Sequence, residues 1–157
     1  MKGYMDGDKA TRHQKALPLL VYRTMKRDKV LHLNMVIGQL CEGAFFFAMH
    51  SCEYSKVEGD RKTKLLTVRN IRFFQGTREL HKIGRYAKFI LLAQTVAITF
   101  ESTKNGEKNV DITHHRTNKD LCPVRVWGDI VLRILKYPKT TVDSPVNTVM
   151  VGALYVK

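Results

Sequence analysis

His50 and Glu53 stand one helical turn apart at the end of an apolar run, Ala44-Phe45-Phe46-Phe47-Ala48-Met49-His50-Ser51-Cys52-Glu53-Tyr54. Side chains three apart share a helix face, so an imidazole and a carboxylate meet there. Two readings compete: a helix that simply reaches the surface, and a turn that holds a catalytic position. Three cysteines, Cys41, Cys52 and Cys122, could join His50 around a metal. None forms a C-x-x-C pair, Cys41 falls on an apolar helical stripe, and structural zinc sites use tight paired spacing. No metal and no cofactor are expected. An odd count with no sign of secretion reads as reduced, intracellular thiols. His114 and His115 are adjacent on a strand pattern, so they point to opposite faces and cannot chelate one ion together.

The strongest signal is charge. Lys plus Arg total 27 against 14 Asp plus Glu, a net +13 on 157 residues with a pI near 9.9. Basic side chains release counterions when they meet phosphates, so a polyanion is the favoured partner and nucleic acid the first choice. From Lys56 to Lys88 ten basic residues face only Glu58, Asp60 and Glu79, a local surplus of seven. Arg61-Lys62-x-Lys64 leads into an expected strand, and Arg69 and Arg72 lie within it among Ile71, Phe73 and Phe74. These five are the candidate phosphate contacts. Neither helix-turn-helix nor zinc-finger spacing is visible, so no base-specific readout is expected. An anionic membrane surface is a distant second to nucleic acid; no run of about 18 apolar residues occurs, so nothing is expected to span a bilayer, and no membrane partner is assigned. The polar start MKGYMDGDKATRHQ does not read as a signal peptide.

The elements that must position these groups follow from hydrophobic period. Residues 1–16 read as a flexible, basic lead-in, with one ordered domain over 17–157. From Val30 to about Lys56, Leu33, Ile37, Leu40, Cys41, Ala44, Ala48 and Cys52 recur at helical spacing, as one helix or as two broken near Gly38 or Gly43. Phe45, Phe46 and Phe47 wrap more than one face, which predicts burial on most sides. Three strands follow: Leu65–Phe74, Val96–Ser102 and Val110–His114, the last two joined through Asn105-Gly106, a strong hairpin signal. Pro123 opens a helix with Val124, Trp127, Ile130, Val131 and Ile134 on its apolar face, and Pro138 stops it. A short strand is expected over Thr148–Val151. The class is α+β, with helices packed on a small three-stranded antiparallel sheet.

The succession AFFFAMHSCEYSKV, RKTKLLTVRNIRFF, VAITFESTKNGEKNVDITHHRT and LCPVRVWGDIVLRI resembles the catalytic domain of tyrosine recombinases, the phage-integrase-like fold. It is most similar to the recombinase-like proteins of crypton-type eukaryotic mobile elements, over most of residues 15–150. The resemblance implies that the first buried helix ends in small-x-Arg-x-x-Glu, whose arginine holds the scissile phosphate. Ala48-Met49-His50-Ser51-Cys52-Glu53 fits that frame with His50 in the arginine's place. A neutral imidazole offers one donor where a guanidinium offers a charged fork. Losing one such donor costs about a hundredfold in rate. The resemblance also implies a general-acid lysine in the hairpin turn, which places Lys104 there with Lys108 in reserve. The family's His-x-x-Arg and nucleophilic tyrosine belong after this point, and Lys157 is reached before them. Tyr155 has no His-x-x-Arg ahead of it and is not assigned as nucleophile.

The expectation is therefore a duplex-DNA-binding, catalytically incompetent recombinase-like domain, intracellular and nuclear, with His50 and Lys104 as vestigial positions. One alternative is half of a split recombinase, completed by a second chain. Another is a basic RNA-binding or ribonucleoprotein component. Surface on the Phe45–Phe47 helix, left bare by missing helices, predicts self-association or a complementing chain.

Overall fold

A computed structural model describes residues 32–49, 64–84, 87–102 and 106–149 of the chain. The elements run α1 (His32–Phe46), a 3₁₀ turn (Val68–Asn70), β1 (Ile71–Gln75), β2 (Arg78–Glu79), a second 3₁₀ turn (Ala87–Leu92), β3 (Thr95–Phe100), β4 (Val110–His115) and α2 (Pro123–Leu135). The class is α+β as expected, but the sheet has four antiparallel strands, in the order β2-β1-β3-β4, rather than three.

The additional strand is β2. Gly76, at φ +57°, and Thr77 close a two-residue connection that sets Gln75 opposite Arg78 and Phe74 opposite Glu79. Glycine takes this left-handed backbone without a Cβ clash. Two exposed residues are too few to show a period of two, which is why the strand leaves no pattern in the sequence. The strand expected over Leu65–Phe74 is also shorter. Asn70 Oδ1 accepts from the Thr67 N–H at 2.9 Å and from Thr67 Oγ1 at 2.8 Å, winding Val68–Asn70 into a 3₁₀ turn before β1 begins. This competition of a short polar side chain with the ladder is characteristic of Asn and Thr.

β3 and β4 pair antiparallel as expected, from Thr95 opposite His115 to Phe100 opposite Val110. The connection 101–109 is longer than a tight Asn-Gly turn and passes Gly106 at φ +86° and Asn109 at φ +54°. Lys104 and Asn105 lie outside the described residues. The inward face of the sheet presents Ile71, Phe73, Val96, Ile98 and Phe100, all buried. Against it lies α2, whose Val124, Trp127, Ile130, Val131 and Ile134 are fully buried as their spacing predicted. Pro123 occupies the first turn of α2, where its missing N–H leaves no hydrogen bond unmade. His114 and His115 do point to opposite faces: His114 meets the Phe47 ring at 4.6 Å inside, and exposed His115 Nδ1 lies 3.0 Å from Thr95 Oγ1.

In α1 the structure departs from the expected stripe. Its buried face is Val36, Leu40, Ala44 and Phe47, while Leu33 and Ile37 are exposed and Phe45 is 75% exposed. Gly43 explains the rotation. A Cβ there would stand 2.8 Å from Trp127 Cε2, so glycine lets the two helices meet at that point. The helix runs unbroken past Gly38 and Gly43 and ends at Phe46, and residues 50–56 lie outside the described residues. Ala48 adopts φ +48°, its N–H donates to Phe45 O, and the Met49 N–H reaches back to Ala44 O at 3.0 Å. That is a Schellman cap with alanine where glycine is usual. Since Ala48 is exposed, Ala48→Gly relieves left-handed strain of about 1–2 kcal/mol. It returns part of that to the more flexible unfolded chain. The expected net gain is about 0.5–1 kcal/mol, read as a higher urea midpoint at unchanged slope.

The described segment after α2 is loop-like, and it is tied into the core. Val146 is buried and its N–H donates to Leu66 O at 3.0 Å, while Val68 and Arg69 N–H groups donate to Ser144 O and Val142 O. Thr148 and Val149 form no strand, and residues 150 and 151 lie outside the described residues. Thr148 O instead accepts from Arg133 Nη1 at 2.7 Å, tying this segment to α2.

Candidate nucleic-acid interface

Of the residues expected to contact phosphate, Lys64, Arg69 and Arg72 are described; Arg61 and Lys62 are outside the described residues, as are His50 and Lys104. The local surplus read from Lys56 to Lys88 is partly cancelled in space, because acidic residues from later in the chain come to meet it. Lys64 Nζ lies 2.9 Å from Glu101 Oε2, Arg69 Nη2 lies 2.6 Å from Asp143 Oδ1, and Arg72 Nη2 lies 2.6 Å from Asp111 Oδ2. All three pairs are at least partly exposed to solvent, so they hold these cations lightly and a phosphate can compete for them.

Two of the pairs belong to small networks that order the sheet. Glu101 Oε1 also accepts from Asn70 Nδ2 at 3.1 Å, linking the first 3₁₀ turn to the end of β3. On the outward face, Arg72 Nη2 also reaches Thr99 Oγ1, and Thr99 Oγ1 donates to Asp111 Oδ1 at 2.5 Å. Hydrogen bonds from Lys64 and Asn70 hold the Glu101 carboxyl below its usual range. For Asp111 the Thr99 hydroxyl acts first, with Arg72 adding to it. Carboxylates held low in the folded state stabilise it above their unfolded pKa of about 4 and lose that contribution as pH falls through the folded value. The urea midpoint is therefore expected to drop on acidification below about pH 4, and Asp111→Asn should flatten that drop. At pH 7 the substitution should cost no more than about 1 kcal/mol, because the pair is exposed.

Two cations that sequence reasoning placed in the basic run, or passed over, are structural. Lys82 Nζ donates to Val68 O at 3.1 Å, Arg69 O at 3.3 Å and Ile71 O at 2.6 Å, closing the turn that leads into β1. Burial pulls its pKa down, and the Glu79 carboxylate pushes back. Arg116 Nε donates to Ala93 O at 2.7 Å and its Nη2 to Leu91 O, clamping the second 3₁₀ turn to the end of β4. Only contacts made in three dimensions separate these two from phosphate-binding cations. Arg78 and Lys88 differ: both are exposed, and neither forms an ion pair among the described residues. Lys108, the reserve lysine of the hairpin, is exposed just before β4.

The described residues carry 13 basic and 8 acidic side chains, a surplus of 5 out of the chain's +13. The larger share of the positive charge therefore belongs to the remaining segments, which include Arg61 and Lys62. Among the described residues no group of three His, Cys, Asp or Glu side chains could hold a metal ion. Among the same residues no helix is long and apolar enough to cross a membrane. Compared with protein-family models, curated proteins and solved structures, the chain matches none.

Proposed function

We propose that this chain is a nucleic-acid-binding domain of tyrosine-recombinase type, which grips duplex DNA through its phosphates and does not cleave it. The observation that carries the reading is the net +13, most of it outside the charge-paired sheet. Two further points support it. The order helix, strand, hairpin and helix accords with the resemblance, and position 104 falls in the connection between two paired strands, where that family keeps its lysine. His50 in the place of the family's arginine argues against strand cleavage, because a neutral imidazole cannot clamp two phosphate oxygens.

The test couples a binding titration with a cleavage assay. Affinity for duplex DNA is expected to fall steeply as salt rises from low to physiological strength. Neutralising Arg61, Lys62 and Lys64 together should weaken binding to all sequences alike and reduce the salt slope by about one for each phosphate left without its cation. Lys64 should contribute least, since Glu101 already holds it. Incubation with a nicked suicide substrate should leave no covalent protein–DNA adduct. Salt-independent binding would overturn the nucleic-acid reading, and an adduct would overturn the pseudoenzyme reading.

A further inference from the structure

Between β2 and the second 3₁₀ turn lies a half-open cleft of about 570 Å³. Phe89 and Leu92 line it from the 3₁₀ turn, and Gln75, Arg78, Glu79 and His81 line it from the β1–β2 side. A second hollow of about 380 Å³ adjoins it, sharing Glu79, Leu80 and His81, so the two form one trough along the sheet edge. Phe89 is 42% exposed and Leu92 is 66% exposed, an aromatic and aliphatic wall left at the surface of a strongly basic chain. The two described cations of the basic run that have neither an acidic partner nor a structural role, Arg78 and Lys88, are the ones at this place. Arg78 lines the cleft, and Lys88 Nζ stands 5.9 Å from the Phe89 ring centroid.

Resting on the nucleic-acid reading above, we propose that this cleft receives an unpaired nucleobase. The base stacks on Phe89 while Arg78 and Lys88 hold the phosphates on either side of it. A base within a duplex is covered on both faces and along its pairing edge, so a concave site can take only a base that is free of its partner. An aromatic wall beside cations is the arrangement by which proteins bind single strands without reading sequence, because every base has a π-face. Gln75 and His81 offer hydrogen-bonding groups to the exposed base edge, and Glu79 leaves the wall with a modest positive excess rather than a strong one. The Lys88 contact with the ring is a weak, solvent-exposed cation–π interaction, so it exchanges readily for a phosphate. The volume lies within the roughly 300–1,000 Å³ usual for ligand sites. The substrate class is thus duplex DNA that carries an unpaired stretch, with the flanking duplex held by the rest of the basic surface.

The experiment uses the full chain and two fluorescently labelled probes of one sequence, a continuous duplex and the same duplex with a three-nucleotide single-stranded gap, titrated by anisotropy. The gapped probe should bind at least fivefold tighter. Phe89→Ala and Phe89→Leu, the second keeping an apolar side chain of similar bulk so that the fold is preserved, should each weaken the gapped probe by about tenfold. Both should leave the continuous duplex within twofold. Arg78→Gln and Lys88→Gln should each lower the salt slope for the gapped probe by about one. Equal binding of the two probes, or wild-type affinity of both Phe89 variants for the gapped one, would overturn this inference while leaving duplex binding intact. Failure of both probes to bind at low salt would instead remove the nucleic-acid reading beneath it.

Discussion

Trp127→Ala is expected to destabilise the fold by about 3–5 kcal/mol, the range for deleting a large buried aromatic. Trp127 is fully buried on α2, its ring meets Phe47 edge-on at 6.0 Å, and Gly43 of α1 lies against it. It joins the two helices to each other and, through Phe47 and His114, to the sheet. Domains of this size carry about 5–15 kcal/mol in all, so the loss is a large fraction of the total. Among the described residues the indole N–H has no hydrogen-bond partner, and a buried orphan donor costs about 1–3 kcal/mol. Volume is therefore what this residue contributes, and Trp127→Phe should cost far less than Trp127→Ala because it removes the orphan while keeping an aromatic ring. Urea unfolding followed by far-UV circular dichroism measures both, since the chain's sole tryptophan is lost as a fluorescent probe. A loss under 1 kcal/mol for Trp127→Ala would show that the helices do not depend on this packing.

What the sequence made legible was whatever rests on local period. The β3–β4 hairpin shows in the alternation of Val96, Ile98 and Phe100, and α2 shows in Pro123 with its apolar spacing. Both are buried on one face, so pattern and burial coincide. The rotation and end of α1 were not legible. The first depends on a glycine–indole approach across the fold, and the second on an alanine in a backbone conformation that alanine rarely takes. The charge map was half legible. Lys64 finds its acid 37 residues away and Arg72 finds its acid 39 residues away, so a sum along the chain overstates the field that a ligand meets. The cleft was not legible either. It needs β2, which has no period, and the Phe89–Leu92 turn, an apolar run in which Phe89 and Leu92 face solvent.

Gly43→Ala should destabilise the protein by about 1–2 kcal/mol, against the direction that helix propensity alone would give. Within a helix such as α1 alanine is favoured over glycine by about 1 kcal/mol, and Gly43 is still helical, in the last turn. The added Cβ, however, would meet Trp127 Cε2 at 2.8 Å, Cζ2 at 2.9 Å and Nε1 at 3.2 Å. The indole cannot yield by rotating a flexible end, because it is a rigid ring fully buried and backed by Phe47. Overpacking of this kind costs about 1–3 kcal/mol and, at a rigid site, outweighs the propensity gain. The shorter ring of Trp127→Phe withdraws the benzo atoms that the Cβ would strike. In that background the clash should disappear and the propensity term emerge, so Gly43→Ala becomes stabilising by about 0.5–1 kcal/mol. The double-mutant cycle should then show a coupling of about 2 kcal/mol between positions 43 and 127. An equal cost for Gly43→Ala in both backgrounds would place the strain elsewhere, and the close approach of α1 to α2 would no longer explain why glycine stands at this position.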